Sequence, residues 1–258
     1  MNLPPESAAF FRSMPPVIIA FLVIIIFTNI KLFQGNVKLV LLASSLNALR
    51  MFLFMFALLH TSIANAIIIL YTYPLFTMIY SHILLKESLS KKEILCGIGS
   101  FLGIITIFAN QELSINNDDV LGISAMLLHS LIYPLTVIIF KKESEKYTNW
   151  EKILYQNLFA AIIFMPFIFI NTPLPSIEQT LIGISCGLTV GLLGFLLFFS
   201  GLSKIQASKA SLLCYMEVPS AIILGIIFLN ETISLNIIIG ATLIIGFSLF
   251  LQNNKKEK

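Results

Sequence analysis

The sequence predicts an all-α membrane protein: a bundle of about nine transmembrane helices built from inverted-topology repeats. Three observations support this fold class. Hydrophobic residues occupy 57% of the 258 positions and charged residues only 11%, against about 25% charged residues in a typical soluble domain. The basic residues gather at one end of long apolar runs. One pattern of residues also occurs twice along the chain.

The apolar runs have the length of membrane-spanning helices. A helix needs about 20 predominantly apolar residues to cross a hydrocarbon core of about 30 Å. The runs show no strand-like alternation, and only helices and closed barrels satisfy the backbone within lipid. The longest connections, 110–119 and 141–150, hold ten residues each, so no soluble domain fits between spans. The nine predicted spans are 9–30, 38–59, 63–84, 92–109, 120–140, 151–171, 178–200, 208–229 and 234–251.

The lysines predict the direction of each span. When the connections are assigned alternately to two sides, all fourteen lysines fall on one side and none on the other. The second side holds acidic residues instead, among them Glu112, Glu178 and Glu231. Positively charged loops stay in the cytoplasm. We therefore expect a multi-pass protein of a bacterial inner (plasma) membrane with a cytoplasmic C-terminus and, given nine spans, an N-terminus on the outside.

Residues 57–108 and 201–251 carry the same pattern in two copies. At a spacing of 144 positions Tyr71 matches Tyr215, and each copy continues with a mid-helix proline, an acidic turn and a glycine-bearing helix. Five spans separate the copies, so the two copies run in opposite directions across the membrane. Inverted repeats are typical of secondary transporters, which hold their substrate near the midplane between the two halves.

Six short stretches combine these features in a characteristic order. They include a Pro-rich opening followed by an arginine, a small-residue turn, Tyr-Pro in mid-helix, and two acidic helix ends. The stretches are 4–12, 57–66, 73–76, 85–90, 210–219 and 229–233. In these features the chain resembles the EamA-type members of the drug/metabolite transporter superfamily, and the resemblance covers nearly the whole chain.

The resemblance implies ten helices in two inverted halves of five, with both termini in the cytoplasm. The family's first helix has no counterpart here, so we expect four helices followed by five. The predicted organisation is a first EamA-like half lacking its first helix at 1–109, a second half at 120–251, and a cytoplasmic tail at 252–258.

Two charged residues lie deep in predicted spans. At a rise of 1.5 Å per residue, Arg50 lies about 18 Å and Glu217 about 12 Å from the lysine-bearing side. A charge at the bilayer centre is costly and usually faces a cavity or a partner, and the resemblance implies that both helices border the family's central cavity. One hypothesis is that the two side chains line the substrate path, either paired or holding opposite charges of a zwitterion. The other is a structural ion pair.

Three tyrosines lie beside prolines in mid-span. Pro74 and Pro219 each remove a backbone donor and free a carbonyl one turn back. Freed backbone groups are tolerated in a membrane only inside protein or beside a wet cavity. The sequence therefore predicts that Tyr71, Tyr73 and Tyr215 shape the cavity, and together with the two deep charges they complete the predicted substrate-binding site.

Other residues in the spans have simpler explanations. We expect His129 to be satisfied by a neighbouring helix, with proton relay as the alternative. A polar trio at 155–157 either lines the inner mouth of the path or lies at the level of the headgroups. Glycines four residues apart permit close helix contacts, and the chain has three such pairs: Gly99 with Gly103, Gly183 with Gly187, and Gly187 with Gly191.

The chain lacks the motifs of several other functional classes. It has neither the phosphate-binding loop of ATP-driven proteins nor the His-Glu-x-x-His motif of zinc enzymes, and Glu217 is the only carboxylate deep in a predicted span. We therefore expect no enzyme activity, no cofactor and no metal. The net charge of +3 comes from lysines in loops at one membrane face, so we expect no nucleic-acid partner.

The sequence thus predicts a secondary transporter that moves a small polar metabolite, such as an amino acid or a nucleoside-like compound, by alternating access. The expected partners are that small-molecule substrate and the lipid bilayer. Coupling to protons, most simply through Glu217, and a homodimer are left open. The alternative hypothesis is a non-transporting membrane scaffold or a degenerate, truncated remnant of such a carrier, which the missing first helix favours.

Overall fold

The computed structural model describes residues 4–27, 35–111, 117–170, 175–229 and 234–253. Within these ranges every regular element is helical, which confirms the predicted all-α class. An eight-residue π-helical segment, Gly187–Gly194, joins α9 to α10, and a 3₁₀ turn, Cys214–Met216, joins α11 to α12. The helices are α1 (Pro5–Phe27), α2 (Val37–His60), α3 (Ile63–Leu70), α4 (Tyr73–Leu84), α5 (Lys91–Ile107), α6 (Asn117–Lys142), α7 (Asn149–Phe164), α8 (Phe167–Ile170), α9 (Ile177–Cys186), α10 (Phe195–Leu202), α11 (Ala207–Leu213), α12 (Glu217–Leu229) and α13 (Leu235–Gln252).

The described residues contain eight helical stretches of 18 to 26 residues that are apolar enough to cross a membrane. The helix α5 is a ninth apolar helix, with 17 residues, and about 17 residues still suffice for a span. The prediction of about nine transmembrane helices is therefore confirmed. Four of the eight stretches are made of two helices each: α3 with α4, α7 with α8, α9 with α10, and α11 with α12.

Local capping signals set where several helices begin. Ser90, Thr148 and Ser176 start α5, α7 and α9 with capping boxes, in which the hydroxyl accepts the N–H three residues on and the Glu or Gln there returns a bond. The helix α1 begins at Pro5, before the predicted position 9, because a proline fits the first turn of a helix. Polar side chains thus end the apolar spans at defined positions.

The helices form two compact units, each of which combines an early and a late segment of the chain. The helix α6 runs from one unit into the other, with the division after Pro134. The predicted EamA-like halves at 1–109 and 120–251 follow the order of the chain instead, and that division stays a prediction. Unit 1 consists of Met1–Leu59 and Leu135–Lys204, and unit 2 of His60–Pro134 and Ile205–Lys258.

Unit 1 packs α1 closely against the bent span that contains the π-helical segment. A Cβ added to Gly187 would lie 2.8 Å from the Phe11 oxygen and 3.0 Å from the Arg12 oxygen. Pro15 and Pro16 cannot donate to these two carbonyls, which lie four residues earlier in α1. Because Gly187 has no side chain, it leaves room for the Phe11 and Arg12 carbonyls, which receive no hydrogen bond from Pro15 and Pro16. Gly183 faces the Phe11 side chain, and Gly191 faces Pro16 and the Arg12 carbonyl. The close helix contact predicted for these glycines is therefore confirmed.

Unit 2 is built around the contact between α5 and α13. A Cβ on Gly103 would lie 2.8 Å from the Gly240 oxygen, and a Cβ on Gly240 would lie 2.5 Å from the Gly103 oxygen. Distances this short leave no room for a side chain, so the two backbones touch, as small residues allow in membrane helices. Gly99 faces the ring of Phe247 on α13, so both glycines of the predicted α5 pair contact a neighbouring helix.

Candidate functional site

The span formed by α3 and α4 is broken directly after Tyr71, in the middle of its length. Pro74 has no N–H to donate to the Leu70 carbonyl, which lies four residues earlier. The Ser130 hydroxyl of α6 lies 3.2 Å from that carbonyl and 2.9 Å from the Ile69 carbonyl, and it donates to this pair. A side chain of a neighbouring helix therefore satisfies the break within unit 2.

The Tyr71 carbonyl at the same break accepts a hydrogen bond from Tyr215 in the 3₁₀ turn. The Tyr215 hydroxyl donates at 2.9 Å, and the two rings stack with their centroids 6.0 Å apart. The ring of Tyr73 lies 6.3 Å from that of Tyr71 and meets Tyr133 edge-on at 4.7 Å. We call Tyr71, Tyr73, Tyr133 and Tyr215 the tyrosine cluster, and it joins the two bent spans of unit 2.

Glu217 is the first residue of α12 and directly follows the 3₁₀ turn. It lies about halfway along the span Ala207–Phe228, and its side chain is exposed. The Tyr71 hydroxyl lies beside the Glu217 carboxylate, and Tyr73 and Cys214 lie within its electrostatic reach. An intramembrane charge is tolerated only beside a polar partner or a water-filled space. We therefore expect the exposed carboxylate to meet water or a polar partner in the middle of the span.

An apolar groove begins beside this carboxylate, at Tyr71 and Val218. Its volume is about 680 Å³, and its walls are formed by α3, the last turn of α5 and one face of α12. Among its lining residues, which include Ile67, Ala221 and Phe228, Tyr71 alone carries a polar side chain. The groove therefore has long apolar walls, and Tyr71 gives it one hydroxyl group at the end nearest Glu217.

The three predicted tyrosines take different positions at this groove. Tyr71 lines it. Tyr73 and Tyr215 are 5% and 0% exposed and lie behind Tyr71 in the core of unit 2. The structure thus brings the three tyrosines and Glu217 together, and it places only Tyr71 on the groove surface. Their role in substrate binding stays a prediction.

Arg50 lies in unit 1, on α2, and is 4% exposed. One turn earlier, the Asn47 side chain donates to the Gln156 carbonyl of α7 at 2.7 Å. A further turn back, the Ser44 hydroxyl accepts the Phe159 N–H at 3.2 Å. Arg50 therefore continues a buried polar strip on α2. Its predicted pairing with the carboxylate of unit 2 stays a prediction.

The other polar residues discussed in the sequence analysis, His129 and the trio at 155–157, are buried within their units. His129 on α6 is 3% exposed, and its ring centroid lies 6.2 Å from that of Tyr133. It thus packs against the tyrosine cluster through Tyr133, one turn later on the same helix. Its satisfaction by a neighbouring helix stays a prediction. The polar trio at 155–157 is at most 3% exposed and belongs to the interior of unit 1.

Sequence reasoning missed three residues that support these sites: Ser130, Tyr133 and Asn47. Tyr133 precedes a proline, so it repeats the Tyr-Pro dipeptide that drew attention to Tyr73. Asn47 lies three residues before Arg50, and residues three apart share one face of a helix. Ser130 carries no comparable signal, because its role depends on carbonyls of another helix.

The chemistry beside the groove rests on the Tyr71 hydroxyl and on the neighbouring Glu217 carboxylate. Within the described ranges no group of three His, Cys, Asp or Glu side chains could hold a metal ion. Cys96, Cys186 and Cys214 form no disulfide. A carboxylate can hold a cationic group of a ligand, and the apolar walls can bury its carbon skeleton. The arrangement therefore suits reversible binding of a small molecule.

Comparisons with known proteins agree with these features. The model of the EamA-like transporter family matches residues 1–109 and 120–252. "Uncharacterized transporter YoaV" of Bacillus subtilis is 28% identical, and the match covers 69% of this chain and 62% of the relative. An "Uncharacterized transporter" of Clostridium kluyveri is 24% identical, over 81% of this chain and 70% of the relative. The chain thus spans less than two thirds of the length of the Bacillus relative.

A solved crystal structure of a protein has the same fold. Its TM-score is 0.84, and the match covers 98% of this chain and 90% of that one. The sequences are 14% identical, so this likeness concerns the fold alone. Because the family model covers nearly all of the residues, and because the apolar helices are long enough to span a membrane, this multi-pass membrane protein belongs to the EamA-like transporter family.

Proposed function

We propose that this chain is a secondary transporter that moves a small polar metabolite across the bacterial inner membrane by alternating access. One observation carries the proposal: the apolar groove of unit 2 is lined at one end by Tyr71, which lies beside the exposed Glu217 about halfway along a membrane span. A purely structural bundle gains nothing from an exposed carboxylate at that depth, because burying a charge in a membrane is costly. The family, and relatives named as transporters, support the same function.

The groove suits a molecule with one cationic and one apolar part. Glu217 attracts an ammonium group, and the Tyr71 hydroxyl adds a hydrogen-bonding partner beside it. The walls remove carbon surface from water, which contributes about 25 cal/mol per Å². Amino acids and related metabolites combine these parts, so we propose them as the substrate class. For Arg50 the proposed role is to orient a negative charge of the substrate, which an Arg50→Gln variant tests separately.

The charge pattern supports an orientation in the membrane. We call the end of unit 2 where α4 ends and α5 and α11 begin the lysine end, since Lys86, Lys91, Lys92 and Lys209 lie there. The positive-inside rule favours a cytoplasmic location for such an end. The groove lies toward the other end, beside the last turns of α5 and α12. We therefore propose that the groove opens to the outside and that the C-terminus is cytoplasmic.

Transport by the purified protein in liposomes tests the proposal. A panel of amino acids and related metabolites is first screened for uptake and for exchange. Glu217→Gln is then compared with Glu178→Gln, which removes an exposed carboxylate from the start of another span. We expect Glu217→Gln to abolish transport and its pH dependence, because the variant can neither hold the cationic group nor carry a proton. Glu178→Gln should behave as the unaltered protein.

Two results would contradict the proposal in different ways. Transport by Glu217→Gln with an unchanged rate and pH profile would show that this carboxylate neither binds substrate nor couples transport to protons. Absence of transport of every metabolite tested, by a folded protein in both directions, would favour the non-transporting scaffold instead.

A further inference from the structure

The half of unit 2 opposite the groove is closed by contact between α4 and α11. Thr77 and Ser81 on α4, and Ser208 and Ser211 on α11, are at most 1% exposed. The hydroxyls of Thr77 and Ser81 donate to carbonyls of their own helix. The hydroxyls of Ser208 and Ser211 have no hydrogen-bond partner in the part of the chain that the structure describes. Each of these two helices therefore buries two hydroxylated residues beside its apolar ones.

Unsatisfied buried hydroxyls are unfavourable, since each has given up its hydrogen bonds to water. In a permanent helix contact within a membrane, polar side chains usually hydrogen-bond to the neighbouring helix, and these two hydroxyls do not. Ser208 and Ser211 are better explained if the surface of α11 meets water in another state of the protein. Together with the open groove at the other end, this indicates that α4 and α11 separate during the transport cycle.

The start of α11 is held by the turn that follows α4. The two carboxylate oxygens of Glu87 accept the N–H of Ala207, at 3.1 and 2.9 Å. The Gln206 side chain donates to the Ser88 hydroxyl at 3.4 Å. Hydrogen bonds to an ionised group are stronger than those between neutral groups. Glu87 therefore provides the main contact between this turn and α11.

The backbone of the turn that follows α4 determines where the Glu87 side chain points. Lys86 has a φ of 58°. Residues other than glycine adopt this left-handed backbone conformation only at a cost in free energy. The Glu87 N–H donates to the Ser81 carbonyl at 3.3 Å, and the Glu87 carbonyl lies 2.9 Å from Nδ1 of His82. Backbone strain of this kind persists where the surrounding contacts hold it in place. The position of the Glu87 carboxylate is thus fixed by its own backbone.

A second contact joins α5 to the same helix. Glu93 is 1% exposed, and one of its oxygens accepts the Ser90 N–H at 2.9 Å within the capping box. Its other oxygen lies 3.6 Å from the Lys209 ammonium on α11. An ion pair whose acid is buried resists screening by salt better than one in open solvent. Two acidic groups of the α4–α5 region therefore hold the first turn of α11.

We propose that the Glu87–Ala207 hydrogen bond and the Glu93–Lys209 ion pair form a cytoplasmic latch. While the latch is closed, α4 and α11 seal the lysine end of unit 2, and the groove at the other end is open. Release of the latch separates the hydroxylated faces of α4 and α11 and gives the substrate a polar route to the cytoplasm. This inference rests on the proposed alternating access and names the contacts that hold one of its two states.

The latch is tested by the accessibility of a buried cysteine. Ser211→Cys, in a variant without the three native cysteines, is exposed to a small hydrophilic thiol reagent in inside-out membrane vesicles. The labelling rate is compared after adding Glu87→Ala or Glu145→Ala, which removes an exposed acid from another cytoplasmic connection. Glu87→Ala should raise the rate about tenfold or more, the factor for losing one hydrogen bond to a charged group. Glu145→Ala should leave the rate unchanged.

A second variant removes the donor instead of the acceptor. Ala207→Pro deletes the N–H that Glu87 accepts, at the first position of α11, where proline fits a helix. It should raise the labelling rate as Glu87→Ala does, and the double variant should gain little more, because both changes break one bond. If Glu87→Ala does not fold, as judged by its elution and thermal unfolding, Lys209→Met gives the same test through the ion pair.

The outcomes separate the latch from the proposed function. Unchanged labelling in folded latch variants overturns the latch, even if the unaltered protein transports a metabolite. Fast labelling of Ser211→Cys alone also overturns it, since the interface would then be open already. Faster labelling in the latch variants without transport of any metabolite supports the latch as a conformational device and removes the proposed function.

Discussion

Unit 1 and unit 2 both contain helices with prolines, but they accommodate the freed carbonyls differently. In unit 1 the carbonyls of Phe11 and Arg12 lie against the backbone of Gly187. In unit 2 hydroxyl groups of Ser130 and Tyr215 donate to the carbonyls at the break between α3 and α4. Unit 1 has a small pocket that is lined by Val37, Tyr147 and Tyr155, and it is too small to hold a water molecule. The groove of unit 2 has a volume of about 680 Å³.

The difference indicates which unit changes shape. A glycine contact depends on two backbones touching, so any separation loses the whole contact, and closely packed interiors do not deform continuously. A hydroxyl can exchange one acceptor for another, or for water, at small net cost. We therefore expect unit 1 to act as a rigid support. Within unit 2, we expect α4 and α11 to move apart while the glycine contact between α5 and α13 stays closed. The following variants test this comparison.

The largest effect on stability is expected from filling the glycine contact of unit 1. Gly187→Ala places a Cβ 2.8 Å from a carbonyl oxygen, and overpacking of this kind costs about 1–3 kcal/mol. Gly201→Ala is the matched control, because nothing lies within 4 Å of the added carbon. The free energy of unfolding in detergent should fall for Gly187→Ala only. Equal stability of both variants would show that unit 1 is not rigidly packed at this contact.

A large side chain in the groove of unit 2 should affect transport more than stability. Ala221 is exposed in the groove, so Ala221→Phe has space for its ring but occupies the path. Transport should fall at least about tenfold, which corresponds to about 1.4 kcal/mol of lost substrate binding. Gly201→Phe, on the open side of a unit 1 helix, should transport normally. Normal transport by Ala221→Phe would place the substrate path elsewhere.

A smaller effect is expected at the hydroxyl that bridges the two bent spans. Tyr215→Phe keeps the stacked ring but removes the donor to the Tyr71 carbonyl. The buried carbonyl then lacks this partner, which should lower the free energy of unfolding by about 1 kcal/mol. Tyr80→Phe, at a half-buried tyrosine of α4, serves as the control. If both variants unfold alike, the bond to Tyr71 does not stabilise the break.

Much of the fold follows from features that are local in the sequence. The length of the apolar runs predicts the spans, since lipid requires continuous helices of that length. The spacing of glycines predicts which helix faces touch. The repeat predicts even a contact, because Tyr71 and Tyr215, which match at a spacing of 144 positions, hydrogen-bond and stack in the structure.

The site could be predicted only in part, because its remaining members depend on contacts between distant segments. Ser130 contributes by donating a hydrogen bond to two carbonyls of α3, and no residue pattern around Ser130 predicts this contact. The role of Glu87 depends on the left-handed backbone of Lys86 and on the N–H of Ala207, which lies 120 positions later in the chain. Burial separates Tyr71, which lines the groove, from Tyr215, which does not.

Accessibility of the groove wall tests the central claim most directly. Ala221→Cys, in a variant without the native cysteines, is treated in intact cells with a thiol reagent that does not cross membranes. The account predicts rapid labelling from the outside, and slower labelling when a transported metabolite occupies the groove. Labelling of a folded Ala221→Cys from the cytoplasmic side only would contradict the orientation, the open groove and the closed latch together.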